Sequence, residues 1–461
     1  MKTHLFNLIQ NFAKQTTIHG LHIIGIPKLH VLERIFWVLV VTMAAGGAIA
    51  ITYSNWMRYL ANPTVVSIQK DFRNWLNPFP AVTGCFVDKT DKKKADKYIQ
   101  EKWGINSSDP KYAYYMDFIK IVSNITYKNL DQLDKFATDS KLQNIDLIDL
   151  TAKVHPDLSG TLVTFDTKHK TKWDLIMSEL GMCFSVNSLF VDLLTLNPNK
   201  TSVVTQRILR CHYLNGLCYA RYDSDPDLPI KYYTHSYLEV AHATIDPPLI
   251  VHESEELEIN YRMQETESSL ALRDLSPLQR KCRFYDEPIS DELPVYSSSL
   301  CYMECRYKLA LKLCGCRPIF YHNFGGKVCD IKGHLCLAQH SDYITKRPSQ
   351  IGCDCPQPCD IIIYFPQVPK FTKWEYGYFE QRMTFRWALL APTTKLHRDV
   401  LFGFEDLVVS FGGTLALFLG ISFISAIEFV FLLVENIYAL YKNQRKTNVI
   451  VVGPRRKIHH F

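Results

Sequence analysis

Residues 408–435 read VVSFGGTLALFLGISFISAIEFVFLLVE, and the organisation of the chain follows from how that stretch must fold. The apolar run that contains it, residues 407–434, holds a single acid, Glu428. Crossing a hydrocarbon core of about 30 Å takes about 20 mainly apolar helical residues, so the run is long enough to span a membrane. Within it Gly413, Ala416 and Gly420 recur at spacings of three and four, which places them on one helical face. In a membrane such a face packs against another helix or lines a narrow pathway. Past Gly420 the small residues change phase, to Ser422, Ser425 and Ala426. One continuous helix with one seam requires no such change. A break at Gly420, Ile421 and Ser422 explains it, and carbonyls freed there must face protein or water rather than lipid. A ring of such carbonyls from several subunits is one way to strip and select a cation. Small-residue helix packing without a pore is the alternative reading of the same residues.

A second run of membrane length, IFWVLVVTMAAGGAIAITYSNWM, occupies residues 35–57 without a charge. Two spans put both termini on one side and residues 58–405 on the other. All fourteen cysteines lie between Cys85 and Cys359, inside that loop. Cysteine confined to one face of a membrane marks that face as oxidising. The basic residues agree: Lys2, Lys14, Lys28 and Arg34 face Glu33 before the first run, and Lys442, Arg445, Lys446, Arg455, Arg456 and Lys457 face Glu435 after the second. Short basic flanks stay cytoplasmic, which places both termini inside. The net charge of +6 is therefore a topology signal rather than a nucleic-acid signature, with contact between the basic tail and anionic lipid as the other reading. The first run starts late, is too long for a signal core and lacks a small-residue cleavage site, so it is expected to be retained as a signal anchor. The domains are then a cytoplasmic segment 1–34, spans at 35–57 and 406–434, an extracellular domain 58–405 and a basic tail 435–461.

The loop is large enough to bury a core of its own. Sequons at Asn106, Asn124 and Asn199 fall within it and none falls in either tail, as a luminal loop requires. Residues 91–103 (DKKKADKYIQEKW) and 129–149 predict solvated helices. Alternating aromatic segments between residues 205 and 240 predict strands. The acidic run 253–258 predicts a solvated loop, and alternation is poor from Gln264 to Leu275. CYMECRYKLALKLCGC (301–316) predicts one helix ending at Gly315, with cysteines one turn apart. Zinc competes for paired cysteines such as Cys314 with Cys316 and Cys353 with Cys355. No histidine pair stands at finger spacing, and an oxidising face favours seven disulfides, whose pairing spacing alone leaves open. No phosphate-binding glycine loop, HExxH or GxSxG is present, and no enzyme or cofactor is expected.

The stretch FGGTLALFLGISFISAIE resembles the pore helix of degenerin/epithelial sodium channels, whose filter carries Gly-x-Ser. Four further segments agree in order. His19 and Gly20 resemble the family's cytoplasmic His-Gly pair, and FPAVTGC at 79–85 its signature after the first span. GMCFSVN at 181–187 resembles its Gly-x-Cys-x-x-x-Asn segment. QRKC, CYMECRYKLALKLCGCRP and CDCPQPC look like its cysteine-rich module. The resemblance runs from residue 11 to about 435, thins between 90 and 175, and is greatest to the insect pickpocket branch.

It implies a membrane protein with two transmembrane α-helices under a large disulfide-rich mixed α/β ectodomain, assembled as a homo- or heterotrimer with same-family subunits in the plasma membrane. It also implies the bridges Cys85 to Cys183, Cys282 to Cys359, Cys301 to Cys355, Cys305 to Cys353, Cys314 to Cys336 and Cys316 to Cys329, which leaves Cys211 and Cys218 to pair locally. Gly420, Ile421 and Ser422 would form the filter, and His19 and Gly20 would line or brace its inner mouth. Val409 and Ser410 would govern gating, and Gly413, Ala416 and Glu428 would line the pore. Position 416 is Ala where Gly is usual, and position 410 is Ser where many members have Asp; the latter change removes a carboxylate on which cation attraction, amiloride block and sodium preference bear. The expectation is a sodium-permeable channel subunit opened by an extracellular stimulus, with sodium as permeant ion and no metal. A non-conducting regulatory subunit, an anchored receptor ectodomain and an ATP-gated trimer are the alternatives; the FPAVT and GIS segments argue against the last.

Overall fold

The computed structural model describes residues 16, 18–26, 29–168, 170–196, 208–224, 228–377, 380–431, 434–435 and 438. The sequon at Asn199, the basic residues of the tail, and Lys2, Lys14 and Lys28 lie outside the described residues. The chain divides into two compact units. One comprises Val66–Leu270 and Lys281–Asp399; the other comprises Met1–Val65, Ala271–Arg280 and Val400–Phe461.

The strands of the larger unit are Thr64–Gln69 (β1, which begins at the unit boundary), Leu76–Pro78 (β2), Ala81–Phe86 (β3), Gly160–Thr164 (β4) and Asp174–Ser178 (β5). There follow Gly181–Val186 (β6), Arg210–His212 (β7), Cys218–Ser224 (β8), Ile230–His235 (β9) and Leu249–Val251 (β10). Glu255–Ser268 (β11), Ile361–Pro366 (β12), Lys370–Lys373 (β13), Met383–Leu390 (β14) and Lys395–Val400 (β15) complete the set. One sheet runs β1-β15-β11-β14-β8-β4, with β12 and β13 also paired to β11; a second runs β10-β9-β3-β6-β5. In β8 alternate residues Cys218, Ala220, Tyr222 and Ser224 point inward, the period of two that an extended chain imposes. Strand β14 is buried along nearly its whole length, and its Phe385 and Trp387 stack with ring centroids 5.1 Å apart.

Strand β11 corrects the expectation for the acidic run. Glu255, Glu256 and Glu258 are not in a loop but open the longest strand, while Leu257, Ile259, Tyr261 and Met263 on its alternate face enter the core. Period-two alternation puts Glu256 and Glu258 on the wetter face, where Arg386 lies 3.4 Å from Glu258, while Glu255 stands at the strand's start on the face of Leu257. The strand continues through Ser268, and a short 3-10 segment at Leu270–Asp274 follows.

The two signature segments explain themselves locally. The Asn187 side-chain amide donates to the Phe79 carbonyl at 2.6 Å and its carbonyl oxygen accepts from the Leu209 N–H at 2.7 Å. Asn187 sits at φ 61°, a left-handed conformation that Asn tolerates better than most residues. Cys85 on β3 is bonded to Cys183 on β6.

Helix Lys92–Trp103 forms as expected, capped by Asp91, with Ala95, Tyr98 and Ile99 buried and the three leading lysines at its start. Residues 129–149 differ from expectation. Instead of solvated helix they give Leu130–Phe136, Ser140–Gln143 and the start of Leu147–Val154, with Leu130, Leu133, Phe136, Leu142 and Leu147 buried. Asp139 and Asp146 each cap a new start, because an Asp side chain that accepts the first free N–H groups competes with continuing the preceding turn.

The cysteine module is built on helix Ser298–Cys314, capped by Ser297 and ended at Gly315, φ 68°, and on helix Ile331–Ile344. All seven implied bridges are present, including Cys211 to Cys218. Cys314, Cys336 and His340 cluster as a metal site would, but the two sulfurs are bonded to each other and offer no thiolate.

The two described sequons differ. Asn106 is exposed in a loop. The Asn124 amide nitrogen donates to Asp88 at 3.0 Å and to the Lys120 carbonyl at 2.9 Å, while its oxygen accepts from the Lys89 N–H at 2.9 Å. Both amide hydrogens are committed, and Ile125 is 1% exposed, so a sugar there would displace part of the fold. Glycosidase treatment of variants should therefore show that Asn106→Gln removes one glycan and Asn124→Gln removes none. A glycan lost from Asn124→Gln would contradict this assignment.

Candidate ion pathway

Helix Val31–Ala61 is long and apolar enough to cross a membrane, with mean hydropathy 2.2 over its best window. Helices Phe404–Leu419 and Phe423–Phe431 pass the same test together, bent by 73° at the break between them. The break has a local cause. Gly420 takes φ 64°, a left-handed conformation that ends the helix, and its N–H still reaches the Ala416 carbonyl at 2.9 Å. Ser422 then starts the next helix by accepting from the Ser425 N–H at 3.1 Å.

The His-Gly pair closes onto this break. The His19 N–H donates to the Leu419 carbonyl at 2.9 Å, satisfying a group that the broken helix would leave bare. A Cβ added to Gly420 would lie 2.5 Å from the His19 ring, so backbone angle and space both demand glycine. Gly20 is held the same way: at φ 81°, an added Cβ would fall 2.6 Å from Val41. Two motifs 400 residues apart thus form one contact.

The longer limb of the bent pair has two distinct faces. Leu407 and Thr414 are buried on the side that packs on Val31–Ala61, and the Asn55 amide there donates to the Ser410 hydroxyl at 2.6 Å. The Phe418 ring seats on Gly47, where an added Cβ would lie 2.8 Å away. The other face carries Val409, 73% exposed, with Gly412, Gly413 and Ala416, and an added Cβ on Gly413 would meet nothing within 4 Å. The small-residue stripe is therefore not the seam with this chain's own first helix. Glu428 lies exposed on the second limb, past the bend.

The ends remote from the His-Gly pair are tied by Leu401 and Phe402, whose N–H groups donate to the Pro63 carbonyl at 2.7 and 3.1 Å, and by Arg58 stacked 5.4 Å from the Phe402 ring. Sequence reasoning missed Asn55 and Gly47. The Gly46 and Gly47 pair inside an apolar run was the available signal for close helix approach.

Over residues 12–432 the chain matches the family model described as amiloride-sensitive sodium channel. The chain belongs to that family. Among relatives of the amiloride-sensitive sodium channel family, the sodium channel protein Nach of Drosophila melanogaster is 22% identical, with 91% of this chain and 86% of that protein covered. The bile acid-sensitive ion channel of Rattus norvegicus is 21% identical over 94% of this chain and 88% of its own length. Pickpocket protein 11 of Drosophila melanogaster is 30% identical over 35% of this chain and 33% of its own. The amiloride-sensitive sodium channel family is a family of cation channels of the plasma membrane rather than a class of enzymes.

The Gly47 contact yields a paired test. Overpacking a close contact costs about 1–3 kcal/mol, so Gly47→Ala should lower the melting midpoint of detergent-solubilised protein by several degrees. Gly46→Ala should leave it unchanged, since an added Cβ there meets nothing within 4 Å. Equal behaviour of the two would contradict the helix contact.

Proposed function

We propose that the chain is a subunit of a trimeric, sodium-permeable channel whose filter is Gly420, Ile421 and Ser422. The observation that carries this is the orientation of the small-residue stripe. Val409, Gly413 and Ala416 face away from the chain's own first helix and lead to a helix break at Gly420. Backbone carbonyls at a break in a membrane need protein or water. Three copies of this face around one axis would supply both a narrow pathway and a ring of oxygens to replace sodium's water. Sodium is the permeant ion, and the function needs no bound cofactor. Both termini lie in the cytoplasm, with two spans and the larger unit outside.

His19 braces the filter from below in this reading, through its bond to Leu419 and its ring against Gly420. Val409 stands at the outer end of the stripe and Ser410 holds the limb to Asn55. Five bridges bind the cysteine module into a stiff body that transmits an extracellular stimulus to the second span.

A regulatory subunit that conducts only beside a partner is the second reading. Position 410 favours it: the residue is a serine spent on Asn55, where an acid would draw cations to the mouth.

Expression of the chain alone, with surface delivery confirmed, should give an inward current that vanishes when external sodium is replaced by a large organic cation. Gly420→Val should abolish that current and leave surface protein. Current that persists in Gly420→Val would overturn the filter assignment, and surface protein silent alone but active beside a relative would select the regulatory reading. Cysteine at position 409 should react with external thiol reagents in a gating-dependent way, and inertness in every state would remove Val409 from the mouth.

A further inference from the structure

Helix Ile331–Ile344 carries Cys336 and His340 four residues apart, on one face. Cys314 ends the neighbouring helix Ser298–Cys314 and is bonded to Cys336, their Cα atoms 5.9 Å apart. The two sulfurs and a ring nitrogen of His340 all lie within 4.8 Å of one another. The His340 ring makes no hydrogen bond or ion pair among the described residues, so that nitrogen is not committed elsewhere. Two cysteines and a histidine this close form a zinc ligand set in every respect but one: the sulfurs are joined.

That joint is one of the more accessible in the protein. Four of the seven bridges, Cys85 to Cys183, Cys211 to Cys218, Cys282 to Cys359 and Cys316 to Cys329, have both cysteines buried. Cys314 and Cys336 are both half-buried, as are Cys305 and Cys353. Of these two bridges, only Cys314 to Cys336 has a histidine beside its sulfurs among the described residues. A thiol reductant attacks as its thiolate and needs a sulfur it can reach, and a neighbouring histidine cation lowers the pKa of the thiol that must leave.

Opening the bridge would not part the two helices. Cys316 to Cys329 is nested inside it in the sequence and stays sealed. Across that inner loop the Arg317 N–H donates to the Lys327 carbonyl at 2.9 Å and the Cys329 N–H to the Arg317 carbonyl at 2.8 Å. An added Cβ on Gly333 would lie 2.6 Å from Cys316 Sγ, so the start of helix Ile331–Ile344 rests directly on the inner bridge. Ile331, Leu337 and Ile344 hold the rest of that helix in the core. The two freed thiols therefore stay opposite each other with His340 beside them. A tetrahedral ion about 2.3 Å from each sulfur needs them to part by only about 2 Å from bonding distance.

We propose that Cys314, Cys336 and His340 form a latent site for a thiophilic divalent cation of the zinc class, unmasked when a thiol reductant opens their bridge. The reductant's thiolate attacks one sulfur and expels the other cysteine as a thiolate. A second equivalent resolves the mixed disulfide, so two thiols become one reductant disulfide and the chain gains two electrons and two protons. The cation then takes both cysteines as thiolates, releasing two protons, and His340 supplies a neutral ring nitrogen, with water in the fourth position. A coordinate link thereby replaces the covalent one between the two helices, and it holds whether or not the chain conducts alone.

The test uses purified full chain in detergent, treated with limiting dithiothreitol that is removed before metal is added. Alkylation and peptide mapping should find Cys314 and Cys336 opened while the four buried bridges remain closed. Cobalt(II), a coloured stand-in for zinc, should then bind one ion per chain with a thiolate charge-transfer band that zinc abolishes. Zinc should raise the melting midpoint of the reduced chain by several degrees toward that of the oxidised chain. His340→Ala keeps the bridge and should melt as the wild type does when oxidised. Once reduced it should bind cobalt more weakly by at least about tenfold, since even changes outside the ligand set cost that much. Oxidised chain, and reduced chain alkylated at the two thiols, should show no band. Closure of Cys314 to Cys336 under conditions that open a buried bridge, a reduced chain without the band, or His340→Ala binding as tightly as the wild type would each overturn the proposal.

Discussion

A helix cannot simply stop inside an apolar medium, because its last carbonyls have no water to turn to. At Gly420 the chain stops a helix within a long apolar run, and a bond from residue 19 satisfies a carbonyl left there. The His19 N–H satisfies Leu419 while the His19 ring occupies the space a side chain at 420 would need. Glycine, break and histidine each require the other two. The orientation of the long limb follows from that point upward. Phe418 seats on Gly47 and Ser410 is held by Asn55, so the opposite face, from Val409 to Ala416, is left exposed.

The larger unit obeys a different constraint. It must hold its shape in water without one dominant core, and its buried side chains form two separate clusters. Strand β11 reconciles the parts of the main sheet by pairing with β12, β13, β14 and β15 along its length. Bridges do the rest. Linking residues 48 to 98 apart removes denatured-chain freedom in a way short bridges do not, about 4–5 kcal/mol each in the chain-entropy account.

What could be read beforehand divides along physical lines. Span length, the phase change at Gly420 and the confinement of cysteine are local or compositional, and they were legible. The helix ending at Gly315 was legible for the same reason. The cysteine pairing came with the family resemblance, since spacing carries no pairing information. The acidic strand was misread because three glutamates near one another mimic a loop, while the apolar partners that betray a strand begin only at Leu257. Residues 129–149 were misread because aspartate caps divide what looks like one solvated helix. Asn55 was invisible: nothing in a sequence marks which of many asparagines will face Ser410 across a helix pair.

The smaller unit is assembled from three stretches of chain separated by more than two hundred and by more than one hundred residues. That arrangement sets an order of manufacture. Helix Val31–Ala61 is finished early, yet Leu419, Gly420 and Phe418, the groups that complete its surroundings, are made after all fourteen cysteines have left the ribosome. During synthesis the Gly47 seat stays vacant until Phe418 has been made. A fault in the seat at Gly47 or in the brace at Gly420 can therefore show itself only after residues 418–420 have been made.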